Sequence, residues 1–245
     1  MSRKSSLAIV VPCYNEETAI PVFKTEVSEF FDLIERHFAS EIDLKFIFVD
    51  NNSTDKSRLL LAEFAAEFKK QNAIQVVSCQ AQGYGAALKA GFLNAQTDLY
   101  GFADLDNTYP LKSFVPMITV LKEKSLDIVF ANRLDLNEGM PLVRKLGNRF
   151  YSVLSKIIFK NSVTDMCTGM RLFTRAHRDK ITSLTDNDLK FSIAFTATVL
   201  KENWKRTEIS IAYRERLGQS KLSVVKDGVL FLYTLLKVRF STQDS

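Results

Sequence analysis

The sequence predicts a doubly wound α/β fold, with a mostly parallel central sheet and helices on both faces. Three observations carry that prediction. Short runs that are apolar throughout, rather than alternating, recur between Leu7 and Arg133, as expected of strands covered on both sides. Amphipathic segments of helical period separate them. Each run ends in a cluster of Gly, Pro, Asn, Asp or Ser, the residues that turn a chain.

The elements follow in order. "LAIVVP" (Leu7–Pro12) reads as the first strand, followed by a helical pattern from Glu16 to about His37. "LKFIFVD" (Leu44–Asp50) is the second strand, and the helix after it starts with Ser53 or Thr54 as its cap. "AIQVVSC" (Ala73–Cys79) is the third, leading into "GYGAALKAGFLNA", whose small residues suit a tightly packed helix. "DLYGFADLD" is the fourth and "LDIVFANR" (Leu126–Arg133) the fifth, with a helix around Pro116–Lys122 between them. The second half departs from this rhythm. Met140–Phe159 reads as an amphipathic helix carrying Arg144, Lys145 and Arg149. Val163–Arg175 reads as a loop entering a short strand, Phe191–Trp204 as a helix, and Arg206–Arg216 as a half-exposed strand. No Pro/Gly-rich linker or internal repeat divides the chain, so one domain over residues 1–245 is expected.

At 245 residues, 46% hydrophobic and 25% charged, the chain has an ordinary globular composition, which excludes disordered and fibrous classes. The net charge of +5 favours anionic partners without choosing among nucleic acid, anionic lipid and phosphorylated small molecules. Cys13, Cys79 and Cys167 lack C-x-x-C spacing, so neither a zinc site nor a disulfide framework is indicated. The first apolar run is short and ends at Pro12, which makes it a strand and not a signal peptide. No stretch has the apolar length of a membrane span.

In such a sheet, ligands bind beyond the carboxyl ends of the strands. "PCYNE", "DNNSTD", "QGYG", "DLDNTYP" and "NRLD" follow strands one to five, so five strands aim polar groups at one rim. Asp104 and Asp106 stand there with one leucine between them. Taken alone, the pair reads more readily as an acidic turn, because Asp, Asn, Thr and Pro all form turns and a D-x-D is a weak motif. Two carboxylates so close repel unless a cation or hydrogen-bond donors intervene, and the rim position points to a bound cation.

"VVPCYNEE", "VDNNSTD", "GYGAALKAG", "ADLDNTYP", "DMCTGMRLFTR" and "YRERLGQSKLS", in this order, resemble the family 2 glycosyltransferases, and within them the dolichyl- or polyprenyl-phosphate sugar synthases. The resemblance runs from about Leu7 to at least Ser223. It implies a GT-A fold, a nucleotide-sugar donor linked to UDP or GDP, a divalent cation (Mg²⁺ or Mn²⁺) and a polyprenyl phosphate acceptor, with no role for nucleic acid. Pro12, Tyr14 and Glu16 match the segment lining the nucleotide, and Asp50 matches the aspartate that recognises the base. Asp104 and Asp106 match the D-x-D pair that reaches the ribose and holds the metal. A departing sugar diphosphate gathers negative charge, which a hard cation on carboxylates neutralises. Arg133, Arg144 and Asn148, with the late residues Arg216, Ser220 and Lys221, match groups that hold the diphosphate or the acceptor phosphate.

An ionised phosphate attacks without a general base, so catalysis reduces to positioning and electrostatics, and a single displacement inverts the anomeric carbon. Asp165 matches a family aspartate near the acceptor, and a structural role for it stays open. Two other functions remain: transfer to a soluble sugar or glycan, with Asp135 or Asp165 as base, and nucleotide binding without catalysis. The sequence also departs from the family pattern. Asp50-Asn51-Asn52 replaces the common D-D-G, Ala81 stands where Asn often precedes the glycines, and Asn107-Thr108 follows the D-x-D, which leaves the sugar open.

The last segment, Leu222–Phe240, is apolar around much of a helix with Lys226, Lys237 and Arg239 near its ends. It packs on the core or lies at a membrane interface, and both readings stay open. A cytoplasmic chain, peripheral on the membrane face, is the expected location. A membrane partner subunit is an alternative route to the lipid, and a homo-oligomer stays open.

Overall fold

The computed structural model describes residues 3–70, 72–135, 142–217 and 224–241. The first half alternates β1 (Ser5–Cys13), α1 (Ile20–Phe38), β2 (Ile42–Asp50), α2 (Ser57–Glu67), β3 (Ile74–Ser78), α3 (Tyr84–Leu93), β4 (Leu99–Ala103), α4 (Phe114–Glu123) and β5 (Ile128–Asn132). The second half adds α5 (Leu142–Phe159), β6 (Met170–Thr174), α6 (Arg178–Thr182), α7 (Lys190–Lys201), β7 (Arg206–Ser210) and α8 (Val224–Phe240).

Seven strands form one sheet in the order β3-β2-β1-β4-β6-β5-β7. All pairings are parallel except those of β6, which runs against both β4 and β5. The sheet is buried on both faces, as the unbroken apolar strands require. In β1, Leu7, Ile9 and Val11 point into a core with α1, α2 and α4, while Ala8 and Val10 point into a second core with α3 and α7. Packed aromatic rings fill both, Phe30, Phe46 and Phe114 on one side and Phe92, Phe173 and Phe195 on the other.

The boundaries correct the sequence reading in several places. Helix α1 begins at Ile20, not Glu16: Asn15 takes a positive φ, and the Glu16 carbonyl accepts from Ala19 and Ile20 in a tight turn. Ser53 and Thr54 do not cap α2, which starts at Ser57 without a side-chain cap. Their hydroxyls accept instead from the backbone and side-chain nitrogens of Asn15. Strand β4 ends at Ala103, leaving both aspartates beyond it, and β7 stops at Ser210.

The largest difference lies in neighbours. Strands β4 and β5 are not adjacent, because β6 inserts between them. The register places Met170 opposite Ala103 and Phe173 opposite both Tyr100 and Ile128. The reversed strand starts at the rim, so the "DMCTG" loop ahead of it lands beside the end of β4. At the other end of the chain, α8 buries Phe231 and Leu235 against α5 and α7. No described helix is long and apolar enough to cross a membrane.

Candidate active site

The rim is a mesh of loops fixed by hydrogen bonds. Cys13 pairs in register with Asp50, and the Cys13 carbonyl accepts from the Asn51 amide at 2.8 Å. This sets Pro12, half-buried at the end of β1, beside the end of β2. The Glu16 amide donates to Ser57 Oγ at 2.8 Å, and Thr54 N donates to Asn15 Oδ1 at 2.8 Å, so the loops after β1 and β2 are tied together. Tyr14 and Glu16 are half-buried on this mesh. Asp50 is buried and accepts from Ser53 N at 3.2 Å. Asn51, which replaces the family's second aspartate, ties the next loop down: its Nδ2 donates to the carbonyls of Cys79 and Ala81, and its Oδ1 accepts from Gly83 N at 2.7 Å. An amide can do both, whereas a carboxylate only accepts.

The D-x-D turn follows β4. Asp104 Oδ1 accepts from Tyr84 Oη at 2.8 Å, and the Asp104 amide donates to the Gly169 carbonyl. Burial, and then the neighbouring charge of Asp106, pushes the Asp104 carboxyl up to about 7. Asp106 Oδ1 accepts from Thr108 N at 3.1 Å and from Thr108 Oγ1, and its Oδ2 is paired with the Arg216 guanidinium. Thr108 therefore serves Asp106 as a hydrogen-bond donor. The strap 211–217 closes over the turn: Leu217 N donates to the Asp106 carbonyl at 2.9 Å, and Asn107 Nδ2 donates to the Glu215 carbonyl at 3.1 Å. Arg214 anchors that strap on Glu26 of α1 at 2.9 Å.

The acceptor side gathers around Asp165, which is wholly buried. Arg133 approaches it with Nε at 2.6 Å and NH2 at 2.9 Å, and Asn148 Nδ2 of α5 adds a bond at 2.9 Å. Burial alone would lower the Arg133 pKa, but Asp165 overrides it and holds the guanidinium firmly charged. The Arg133 guanidinium also lies 5.0 Å from the Tyr109 ring centroid. The Tyr109 hydroxyl in turn accepts from Gly169 N, so one tyrosine links the Arg133 cluster to the loop that abuts Asp104. Asp135 is exposed, and its Oδ2 accepts from Asn132 at 2.8 Å and from Ser210 at 2.6 Å. Arg144 belongs to α5, but its side chain, like all of Ser220 and Lys221, lies outside the described residues.

Sequence reasoning missed Tyr84, Tyr109, Gly169 and Arg171. Arg171 on β6 is fully buried, with NH2 donating to the Thr168 carbonyl and to both oxygens of Ser192, and Phe195, Phe130 and Phe102 around the guanidinium. All four lie inside the quoted motifs, but their roles were not legible there, because each acts through a contact distant in sequence. Cys13 and Cys167 are pushed up to about 12, chiefly by burial, and are inert as thiols.

The donor set at the turn suits a divalent cation. A desolvated carboxyl pushed toward neutrality beside a second carboxylate gains from a dication in place of a proton. No cluster of three or more acidic, His or Cys side chains occurs among the described residues, so the ion would rest on Asp104, Asp106 and oxygens supplied by the donor.

A mostly parallel seven-stranded sheet with this acidic turn at its rim defines a GT-A-type transferase. The model of the family "Glycosyl transferase family 2" matches residues 8–182, and the chain belongs to that family and is a glycosyltransferase. Among curated relatives, the dolichyl-phosphate hexose transferase of Haloferax volcanii is 26% identical over 233 residues, covering 95% of this chain and 93% of that protein. The undecaprenyl-phosphate 4-deoxy-4-formamido-L-arabinose transferase of Proteus mirabilis is 26% identical over 238 residues, covering 95% of this chain and 67% of that protein. Among solved structures, glucosyl-3-phosphoglycerate synthase of Mycobacterium tuberculosis, in complex with Mn²⁺, UDP and glucosyl-3-phosphoglycerate, superposes with a TM-score of 0.70 at 18% identity. That match covers 98% of this chain and 82% of the other. The GT-A fold expected from the sequence is the fold observed.

Proposed function

We propose that the protein is an inverting, metal-dependent hexosyltransferase that moves a hexose from a UDP- or GDP-linked donor to a polyprenyl phosphate. The observation that carries this reading is the commitment of Asp165. Both of its oxygens are engaged by Arg133 and Asn148, so this cluster presents a held guanidinium and, among its described residues, no open carboxylate. A soluble hydroxyl acceptor needs a base, whereas a phosphate monoester arrives ionised and needs a cation to hold it. Asp135, the other candidate base, has its Oδ2 held by Asn132 and Ser210 at the open end of β5. The relatives named for transfer to dolichyl and undecaprenyl phosphates point the same way.

In this mechanism the loops after β1 and β2, with Pro12, Tyr14, Glu16 and Asp50, cradle the nucleotide. Asp104, oriented by Tyr84, and Asp106, oriented by Thr108, would hold Mg²⁺ or Mn²⁺, which when bound offsets the charge developing on the leaving diphosphate. Arg216 sits within reach of the same group. Arg133, fixed by Asp165 and stacked on Tyr109, holds the acceptor phosphate in line with the anomeric carbon, and Arg144, Ser220 and Lys221 complete the cationic surround. The chain works on the face of a membrane that presents the lipid.

Incubating the protein and Mn²⁺ with labelled UDP- and GDP-hexoses, against a short polyprenyl phosphate and against soluble sugars and phosphoglycerate, tests the reading. Transfer to the lipid phosphate is expected, with inverted configuration. Transfer confined to soluble acceptors would overturn it.

A further inference from the structure

Helices α5 and α8 carry apolar side chains that the fold does not need. On α5, Leu142, Leu146, Phe150, Val153 and Ile157 follow one another at steps of four, four, three and four residues, which is one face of a helix. Each is exposed, from 56% for Phe150 to 73% for Leu142. The opposite face of the same helix already packs inward through Asn148, Tyr151 and Ser155. Helix α8 repeats the arrangement. Val229, Tyr233, Leu236 and Phe240 are exposed on one side, while Phe231 and Leu235 are buried on the other.

The two helices are neighbours, with the Tyr151 and Phe231 rings 5.8 Å apart. Nine of the twelve large hydrophobic residues exposed among the described residues lie on this pair, and the other three are scattered singly over α1, α2 and α3. Single exposed hydrophobes need no explanation, but a concentrated patch does.

Charge distinguishes the occupant. The two helices contain seven basic residues and one acidic residue, Asp227. The whole chain has a net charge of +5, so the rest of the protein is close to neutral and the entire positive excess sits on these two elements. Exposed Arg149 and Lys156, seven residues apart, border the α5 stripe on one flank, and exposed Arg239 stands beside Phe240 on α8. A second copy of this chain would set like charge against like, whereas anionic headgroups satisfy the cations as acyl chains take up the stripes.

We propose that α5 and α8 form one docking face for an anionic lipid bilayer, lying in the headgroup plane with both stripes inserted. The inference goes beyond the transfer reaction, since it concerns the outer surface of the chain and holds whatever the acceptor. It has a consequence for the site. Helix α5 bears the docking stripe outside and Asn148 inside, and Asn148 reaches Asp165 of the Arg133 cluster. Docking therefore sets that cluster beside the membrane surface.

Flotation with vesicles free of polyprenyl phosphate tests this. One set is phosphatidylcholine alone, and the other contains about a third phosphatidylglycerol. The protein is expected to float with the anionic vesicles, to release as salt rises, and to lose about tenfold or more in binding as Phe150→Ser/Ile157→Ser or Arg149→Glu/Lys156→Glu. These positions are exposed, and unchanged thermal unfolding and nucleotide binding verify that the variants are folded. Absence of binding to anionic vesicles, or binding that the variants do not change, would overturn the proposal. Self-association in solution that the Phe150/Ile157 variant abolishes would also overturn it, by assigning the face to a second copy. Because the vesicles lack the acceptor, these outcomes leave the transfer reaction to its own assay.

Discussion

Arg133 grips Asp165 with two guanidinium nitrogens, Nε at 2.6 Å and NH2 at 2.9 Å, and the carboxylate is wholly out of water. Such a pair is costly to break from one side, because the survivor stays buried and charged. Asp165→Asn is expected to lower unfolding stability by about 3–5 kcal/mol in urea titration. The double variant Arg133→Met/Asp165→Leu should recover most of that stability yet have no transferase activity. A single variant as stable as the wild type would show that the pair does not hold the site.

The second prediction concerns pH. Burial and the Asp106 charge push the Asp104 carboxyl of the folded chain up to about 7, far above the 3.8 of a free aspartate. Between those values the folded state binds more protons than the unfolded state, so this group favours folding most at low pH and loses that contribution as pH rises through about 7. Stability without added metal should fall across that interval, and Asp104→Asn should flatten the fall. A divalent cation replaces the proton, so Mn²⁺ should raise the unfolding temperature more at about pH 8 than at about pH 5. Thermal melts across pH, with and without Mn²⁺, decide the matter.

Arg216 pairs with one oxygen of Asp106, a carboxylate that would hold a metal. Arg216→Gln should therefore tighten binding of Mn²⁺ alone by about tenfold while lowering turnover, because the guanidinium is lost to the leaving diphosphate. Asp106→Asn should do the reverse, removing the Mn²⁺-dependent part of UDP or GDP binding. Calorimetric titration with metal, then with nucleotide, reads both.

Gly169 touches the Asp104 carboxylate so closely that an added Cβ would overlap its Oδ2 and Cγ. Gly169→Ala must displace that side chain from Tyr84. The fold should lose only about 1–3 kcal/mol, since a short side chain gives way. kcat/KM should fall about a hundredfold through the misplaced carboxylate. Equal losses in a variant that leaves Asp104 in place would argue against the positioning role.

Much of the fold was legible in the sequence because burial on both faces leaves a one-dimensional mark. Leu7 to Val11 are apolar without interruption, and all are fully buried. The rim was legible for the same reason: polar residues end each parallel strand, so Asp50, Asp104 and Asp106 could be placed without knowing the strand order. Local boundaries were less so. Ser53 and Thr54 look like helix caps until Asn15, 38 and 39 residues away in sequence, is seen to bond them.

The sequence by itself determined the class of fold, the rim and the acidic pair, since these depend on hydrophobic period and on chemistry carried by adjacent residues. Only the tertiary structure decided that β6 runs backwards between β4 and β5, that Arg133 is committed to Asp165, and that Arg216 lies on Asp106. It also decided that the α5 and α8 stripes share one surface. Each is a contact between segments far apart in the chain, selected by how buried charge and apolar area are satisfied together, and no local pattern records that choice.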